Sequence, residues 1–267
     1  MSTSFLDRGE GRIAYEVEGE GPLVVCVPGI GDLRSIFRFL TPALLEAGYR
    51  VAVMDLRGHG DSDDGFGAYD DAATASDALA LVDHLGGPAL LVGNSLGSSA
   101  SVWAAAEDPD KVTGLVLVTA FVRDPKTNPL MKVMARAMLA KPWGPAFWNT
   151  YYRGRNAQPP ADLADHQQKI KQSLRRGDHW RSFVKTALTS HAPIEARLGQ
   201  VKAPVLVVIG DKDKDWPDPV GEARFVADAL HGELLVVPNT GHYPIAEDPA
   251  TVNPAVVAFA NRVNGRA

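Results

Sequence analysis

Short, uninterrupted apolar runs rich in β-branched residues recur along this chain at 23–27, 51–54, 89–92, 112–118, 205–209 and 234–237. Runs of that length without polar alternation predict strands buried on both faces, because an exposed face would require a polar residue at every second position. Between them, the stretches 35–47, 70–85, 96–107, 220–230 and 251–263 have helical length and spacing. Regular alternation of strand and helix predicts an α/β fold, a mostly parallel sheet of about eight strands with helices on both faces. Two of those strands, 5–8 and 12–18, read as an N-terminal hairpin that adds an antiparallel edge.

The alternation stops after Thr119 and resumes only at Val205. Prolines punctuate the interval, and segments such as 130–140 and 162–176 carry helical spacing, so a helical insertion is expected. The predicted organisation is a core of residues 1–121 and 201–267 with a helical cap at 122–200. Trp143, Phe147, Trp148, Tyr151, Tyr152, Trp180 and Phe183 fall in this interval and suit either the lid of an apolar pocket or the insertion's own core. Charge sets it apart as well: residues 121–200 hold 14 Lys and Arg against 5 Asp and Glu, a net of +9 in a chain of net charge -5. These basic residues are spread over helix-like stretches without a nucleic-acid reader motif, which predicts a solvated helical face and no nucleic-acid partner.

At 267 residues with 45% hydrophobic and 22% charged positions, the composition is that of a folded globular chain. No run approaches the roughly 18 consecutive apolar residues of a membrane span. The N-terminal residues lack a basic region followed by an apolar one, so neither a span nor a signal peptide is expected. Cys26, the lone cysteine, lies within the 23–27 run; an internal disulfide is impossible, and a cytoplasmic location is favoured.

The sharpest chemical signal is Gly93-Asn94-Ser95-Leu96-Gly97, which follows a predicted strand directly and opens a predicted helix. A sharp strand-to-helix turn exposes a nucleophile only if the positions two before and two after it lack side chains. A serine hydroxyl also needs a base, and histidine titrates near neutrality. His242, in Pro238-Asn239-Thr240-Gly241-His242 after the last predicted strand, is the best placed of the seven histidines. Its ring needs a carboxylate on the other nitrogen. Asp213, just past the 205–209 strand, is the first choice, with Asp124, Asp215 and Asp211 as alternatives. Two backbone N–H groups, of Leu96 after the nucleophile and of Ile30 in the turn after 23–27, are positioned to hold an oxyanion. The histidines form no metal-ligand pair at helical spacing around a glutamate, so no metal is expected.

With these motifs in place, the chain resembles the α/β-hydrolase superfamily, in its branch with a helical cap inserted after the sixth strand. Gly19-Glu20-Gly21-Pro22 before one strand, Asp55-Leu56-Arg57-Gly58-His59-Gly60-Asp61-Ser62 after another, the Ser95 elbow and Gly241-His242 occur in that family's order over nearly the whole chain. The resemblance implies cofactor-independent hydrolysis of an ester or related acyl bond in a small-molecule substrate, through an acyl-enzyme. The aromatic-rich cap suggests a small to medium apolar group, and its arginines offer anchors for a carboxylate. One departure is Pro28-Gly29 where many members have His-Gly; Asp32 close behind it is expected to bring a carboxylate near the pocket mouth. Two other readings compete. A non-catalytic ligand-binding protein would keep the same residues. A nicotinamide-dependent oxidoreductase would use Gly29-Ile30-Gly31-Asp32-Leu33-Arg34 and Asp55, although Arg34 stands where close helix packing wants a third glycine.

Overall fold

The computed structural model describes residues 2–124 and 129–266. Eight strands, β1 (Ser4–Asp7), β2 (Arg12–Glu18), β3 (Leu23–Val27), β4 (Arg50–Met54), β5 (Ala89–Asn94), β6 (Val112–Val118), β7 (Val205–Gly210) and β8 (Glu233–Val237), form one sheet in the order β1-β2-β4-β3-β5-β6-β7-β8. β2 pairs antiparallel with β1 and β4, and every later pairing is parallel.

The apolar runs explain why the sheet is covered on both sides. Val25, Leu91, Leu115 and Val207 join one hydrophobic cluster, while their neighbours Val24, Leu90, Val116 and Leu206 join another. Successive side chains point to opposite faces, so a continuous run feeds two cores at once. Helices α1 (Leu40–Glu46), α2 (Asp71–His84), α3 (Leu96–Glu107), α9 (Pro219–Ala229) and α11 (Pro249–Val263) supply the matching apolar surfaces. Ala75, Ala78, Leu81 and Ala100 from α2 and α3 pack on the first face, and Leu40, Val252, Val256 and Phe259 from α1 and α11 on the second. The stretch 35–47 is less regular than its spacing predicts: a 3-10 segment, Arg34–Phe39, precedes α1.

Between β6 and β7 the chain forms α4 (Pro129–Met138), α5 (Gly144–Gly154), α6 (Leu163–Ser173), α7 (His179–Ala187) and α8 (Ala192–Glu195). A short α10 (Pro244–Glu247) precedes α11. Trp148, Trp180 and Phe183 pack together, with the Phe183 ring 4.7 Å from that of Trp148 and 4.8 Å from that of Trp180. Among the described residues no helix is long and apolar enough to cross a membrane.

Candidate active site

β3 lies between β4 and β5, so chain direction diverges at its C-terminal end and leaves a crevice there. Ser95 sits at the mouth of that crevice, between β5 and α3. Its backbone adopts φ 54° and ψ -119°, a left-handed conformation that costs a non-glycine residue about 1–3 kcal/mol. Its N–H donates to Val118 O at 2.9 Å, and Ser98 N–H donates back to Ser95 O at 2.9 Å. The flanking glycines permit the turn sterically: a Cβ on Gly93 would strike the Gly97 and Ser98 backbone, and one on Gly97 would strike the Val27 carbonyl. The turn after β3 also comes close, since a Cβ on Gly29 would lie 2.9 Å from the Ser95 Cβ.

Ser95, Gly29, Ile30 and His242 line one cavity of about 250 Å³, walled by Phe121, Trp148 and Tyr151. Among the described residues, the N–H groups of Ile30 and Leu96 have no acceptor. The Ile30 turn is pinned from below by His59, whose Nε2 accepts from Gly31 N–H at 3.1 Å while its Nδ1 donates to Arg57 O at 2.9 Å. Burial holds the His59 pKa down to about 4, so the ring stays neutral and keeps the lone pair this bond requires.

His242 Nδ1 lies 2.8 Å from Asp213 Oδ2 and 3.2 Å from Asp215 Oδ2. All three are well shielded from solvent: Asp213 is 2% and His242 4% exposed. Burial works against the imidazolium, but the attraction of Asp213 and then Asp215 outweighs it and raises the His242 pKa to about 9. Asp213 in turn is held below the usual carboxylate range, its own burial being overcome by His242. Asp215 is shared: Tyr151 O–H donates to it at 2.5 Å and Arg155 pairs with it at 2.6 Å. Asp213, Asp215 and His242 offer ligand atoms within 4.8 Å of one another, but the Arg155 guanidinium on Asp215 opposes a cation there.

The other predicted acids go elsewhere. Asp124 accepts from Ser190 Oγ at 2.7 Å and His191 N–H at 2.6 Å, and Asp211 accepts from Asn239 N–H at 2.6 Å. Asp32 corrects an expectation: it is fully buried rather than at the pocket mouth, accepting from Tyr152 O–H at 2.8 Å and lying 2.7 Å from His166 Nε2. A carboxylate carried by the β3 turn therefore ties α5 and α6 to the sheet. The residues of the dinucleotide-like motif are likewise committed, since Arg34 forms ion pairs with Glu16, Asp55 and Asp61. A larger groove of about 690 Å³ runs beside Arg34, Arg38 and α6, but most of its charges are paired and it contains neither Ser95 nor His242.

Sequence reasoning missed Glu247. Its Oε2 accepts from Ala157, Gln158 and Gly241 N–H at 2.7, 2.8 and 2.9 Å, and its Oε1 from Tyr243 N–H at 3.1 Å. His242 N–H also donates to Arg155 O at 2.9 Å, so the histidine loop is clasped between α10 and the end of α5. Nothing local in the sequence marks Glu247, because its partners are backbone groups brought in by the fold.

The alpha/beta hydrolase family model matches residues 24–255. A 2-(acetamidomethylene)succinate hydrolase of Mesorhizobium japonicum is 30% identical over 263 residues, covering 93% of this chain and 92% of that protein. A 2-hydroxy-6-oxononadienedioate/2-hydroxy-6-oxononatrienedioate hydrolase of Burkholderia vietnamiensis is 30% identical over 287 residues, covering 96% and 93%. The solved structure of a thermophilic esterase from Thermogutta terrifontis superposes with a TM-score of 0.79 at 25% identity, covering 98% of this chain and 99% of that one. A match of that extent, with relatives at 30% identity over nearly their full length, places the chain in the alpha/beta hydrolase family.

Proposed function

We propose that this hydrolase is a cofactor-independent serine enzyme in which Ser95 attacks the carbonyl of an ester or related acyl bond. His242 Nε2 takes the Ser95 proton, and Asp213 holds the Nδ1–H that fixes the tautomer and stabilises the imidazolium. The N–H groups of Ile30 and Leu96 stabilise the oxyanion, a contribution of about 2.7–4 kcal/mol for each donor. Collapse of the tetrahedral intermediate passes the proton to the leaving alcohol and leaves an acyl-Ser95. Water, deprotonated by the same imidazole, then releases the acid. The observation that carries this reading is a serine on a left-handed strand-to-helix turn in one cavity with an imidazole whose far nitrogen lies on a buried carboxylate.

The substrate we assign is a small to medium apolar molecule. Phe121, Trp148 and Tyr151 form the walls, Asp124 and Asp215 also border the cavity, and no Lys or Arg lines it among the described residues. That lining disfavours the carboxylate anchor expected from the cap arginines, although the two curated relatives are named for a succinate and for dioates. Residues 122–200 act as the cap in this reading, supported by the contribution of Trp148 and Tyr151 from α5 to the cavity. A cytoplasmic location without a nucleic-acid partner belongs to the same proposal; the single buried Cys26, whose thiol pKa burial pushes up, fits it.

Labelling with a fluorophosphonate probe, together with turnover of a panel of esters, thioesters and lactones, tests the proposal. Stoichiometric labelling that disappears in Ser95→Ala is the expected result. Ligand binding without labelling or turnover would overturn it in favour of a non-catalytic binding protein.

A further inference from the structure

Asp71 and His191 form a second carboxylate–imidazole pair beside the first. Asp71 opens α2 directly after Asp70, which caps that helix by accepting from Ala73 N–H at 2.9 Å. Freed from capping, the Asp71 carboxylate points inward: it is 2% exposed and its Oδ2 lies 2.9 Å from His191 Nδ1. His191 is itself 7% exposed and lines the cavity that holds Ser95 and His242. Phe121 lies against both imidazoles, with ring centroids 5.6 Å from His191 and 5.9 Å from His242.

This pair costs stability unless something repays it. Burial raises the Asp71 pKa despite the bond to His191, and Asp71 Oδ1 has no partner among the described residues. The main chain of His191 is already fixed by its N–H bond to Asp124, so the ring does not need Asp71 to hold the loop in place. What an ionised Asp71 fixes is the orientation of the ring's hydrogen. Its oxygen can only accept, so it holds a ring hydrogen on Nδ1, and in the tautomer with a single ring hydrogen the lone pair is on Nε2. No described residue bonds Nε2.

We propose that His191 is a specificity-determining residue, oriented by Asp71, whose Nε2 accepts a hydrogen bond from a hydroxyl group on an aromatic part of the substrate, a phenol above all. The inference rests on the hydrolase reading of the cavity. Phe121, Trp148 and Tyr151 supply the surface for an aryl ring. The Asp124 carboxylate at the same end repels an anion, which favours a hydroxyl over a carboxylate as the partner.

Matched substrates test this: methyl esters of 3- and 4-hydroxyphenylacetate against methyl phenylacetate, and acetates of the corresponding phenylethanols. Wild type should prefer a hydroxylated member over its deoxy analogue by at least ~10-fold in kcat/KM, because a site built around a hydroxyl penalises its absence. His191→Phe should bring that ratio to near unity, and His191→Gln, which keeps an acceptor, should restore part of it. A ratio near unity in wild type, an equal loss on both members in His191→Phe, or a preference for a carboxylate-bearing analogue would overturn the inference. Fluorophosphonate labelling of the same preparations separates the two ideas. Normal labelling without hydroxyl selection sinks this inference alone, whereas an unlabelled wild type sinks the hydrolase reading. In that second case, calorimetric binding of hydroxyphenylacetamide against phenylacetamide reads the same preference without turnover.

Discussion

In the proposed mechanism Ser95 and His242 act in one chemical step, so their removal should not be additive. Ser95→Ala and His242→Ala are each expected to lower kcat by roughly 10⁴ to 10⁶, and the double variant scarcely further, as steady-state assays at high enzyme concentration will show. The pH profile carries more information about surroundings than about residue type. An ordinary histidine would place the acid-side loss near pH 6 to 7. Here Asp213 and Asp215 raise the His242 pKa to about 9, and in the proposed mechanism this imidazole serves as base only when deprotonated. Activity should therefore climb as pH rises towards about 9 and fall below it. Replacing Asp215 with Asn removes one of the two raising charges and should move that limb to lower pH, measured as kcat/KM against pH. An unchanged limb in Asp215→Asn would mean that another group titrates.

The elements depend on close approaches that only particular residues permit. A Cβ on Gly97 would enter backbone, the carbonyl of Val27 and that of Pro28, which cannot step aside as a flexible side chain can. Gly97→Ala is therefore expected to destabilise the fold by about 1–3 kcal/mol or more and to slow fluorophosphonate labelling, read from urea unfolding and labelling rates. Glu247 presents the converse case, a side chain that gathers the backbone of two segments. Glu247→Ala strands the half-buried N–H groups of Gly241 and Tyr243 in the histidine loop, whereas water can replace the carboxylate at exposed residues 157 and 158; the change should cost about 1–3 kcal/mol with a fall in kcat. A variant with wild-type stability and turnover would show that α10 alone orders the loop.

Across the whole molecule, the inserted helices are tied to the sheet through polar groups as well as apolar ones. Buried Asp32 on the β3 turn meets Tyr152 from α5 and His166 from α6, while Arg38 pairs with Asp162 at 2.6 Å nearer the surface. The buried contacts are screened little and would be lost together in any opening of α5 and α6 away from the sheet; the outer pair contributes less. Tyr152→Phe should accordingly speed hydrogen exchange in α5 and α6 while leaving β3, β5 and β6 protected. Equal acceleration in the central strands would indicate that the inserted helices and the sheet open as one unit.

The strands, most core helices and the helical interval between β6 and β7 were legible in the residues, as was the glycine-flanked elbow at Ser95, because each is written locally. A strand buried on both faces must be continuously apolar, and a strained elbow must be flanked by glycine. The irregular Arg34–Phe39 segment was not legible, since helical spacing does not distinguish a 3-10 turn from an α-helix. Nor was the fate of the aspartates. Asp32, Asp71, Asp124, Asp213 and Asp215 look alike along the chain, and what separates them is the partner each meets across 29 to 134 residues of sequence. Sequence by itself determined which chemistry the chain could carry. The tertiary structure alone decided which carboxylate meets which imidazole and how far burial shifts each charge, because both depend on distances that no local pattern contains.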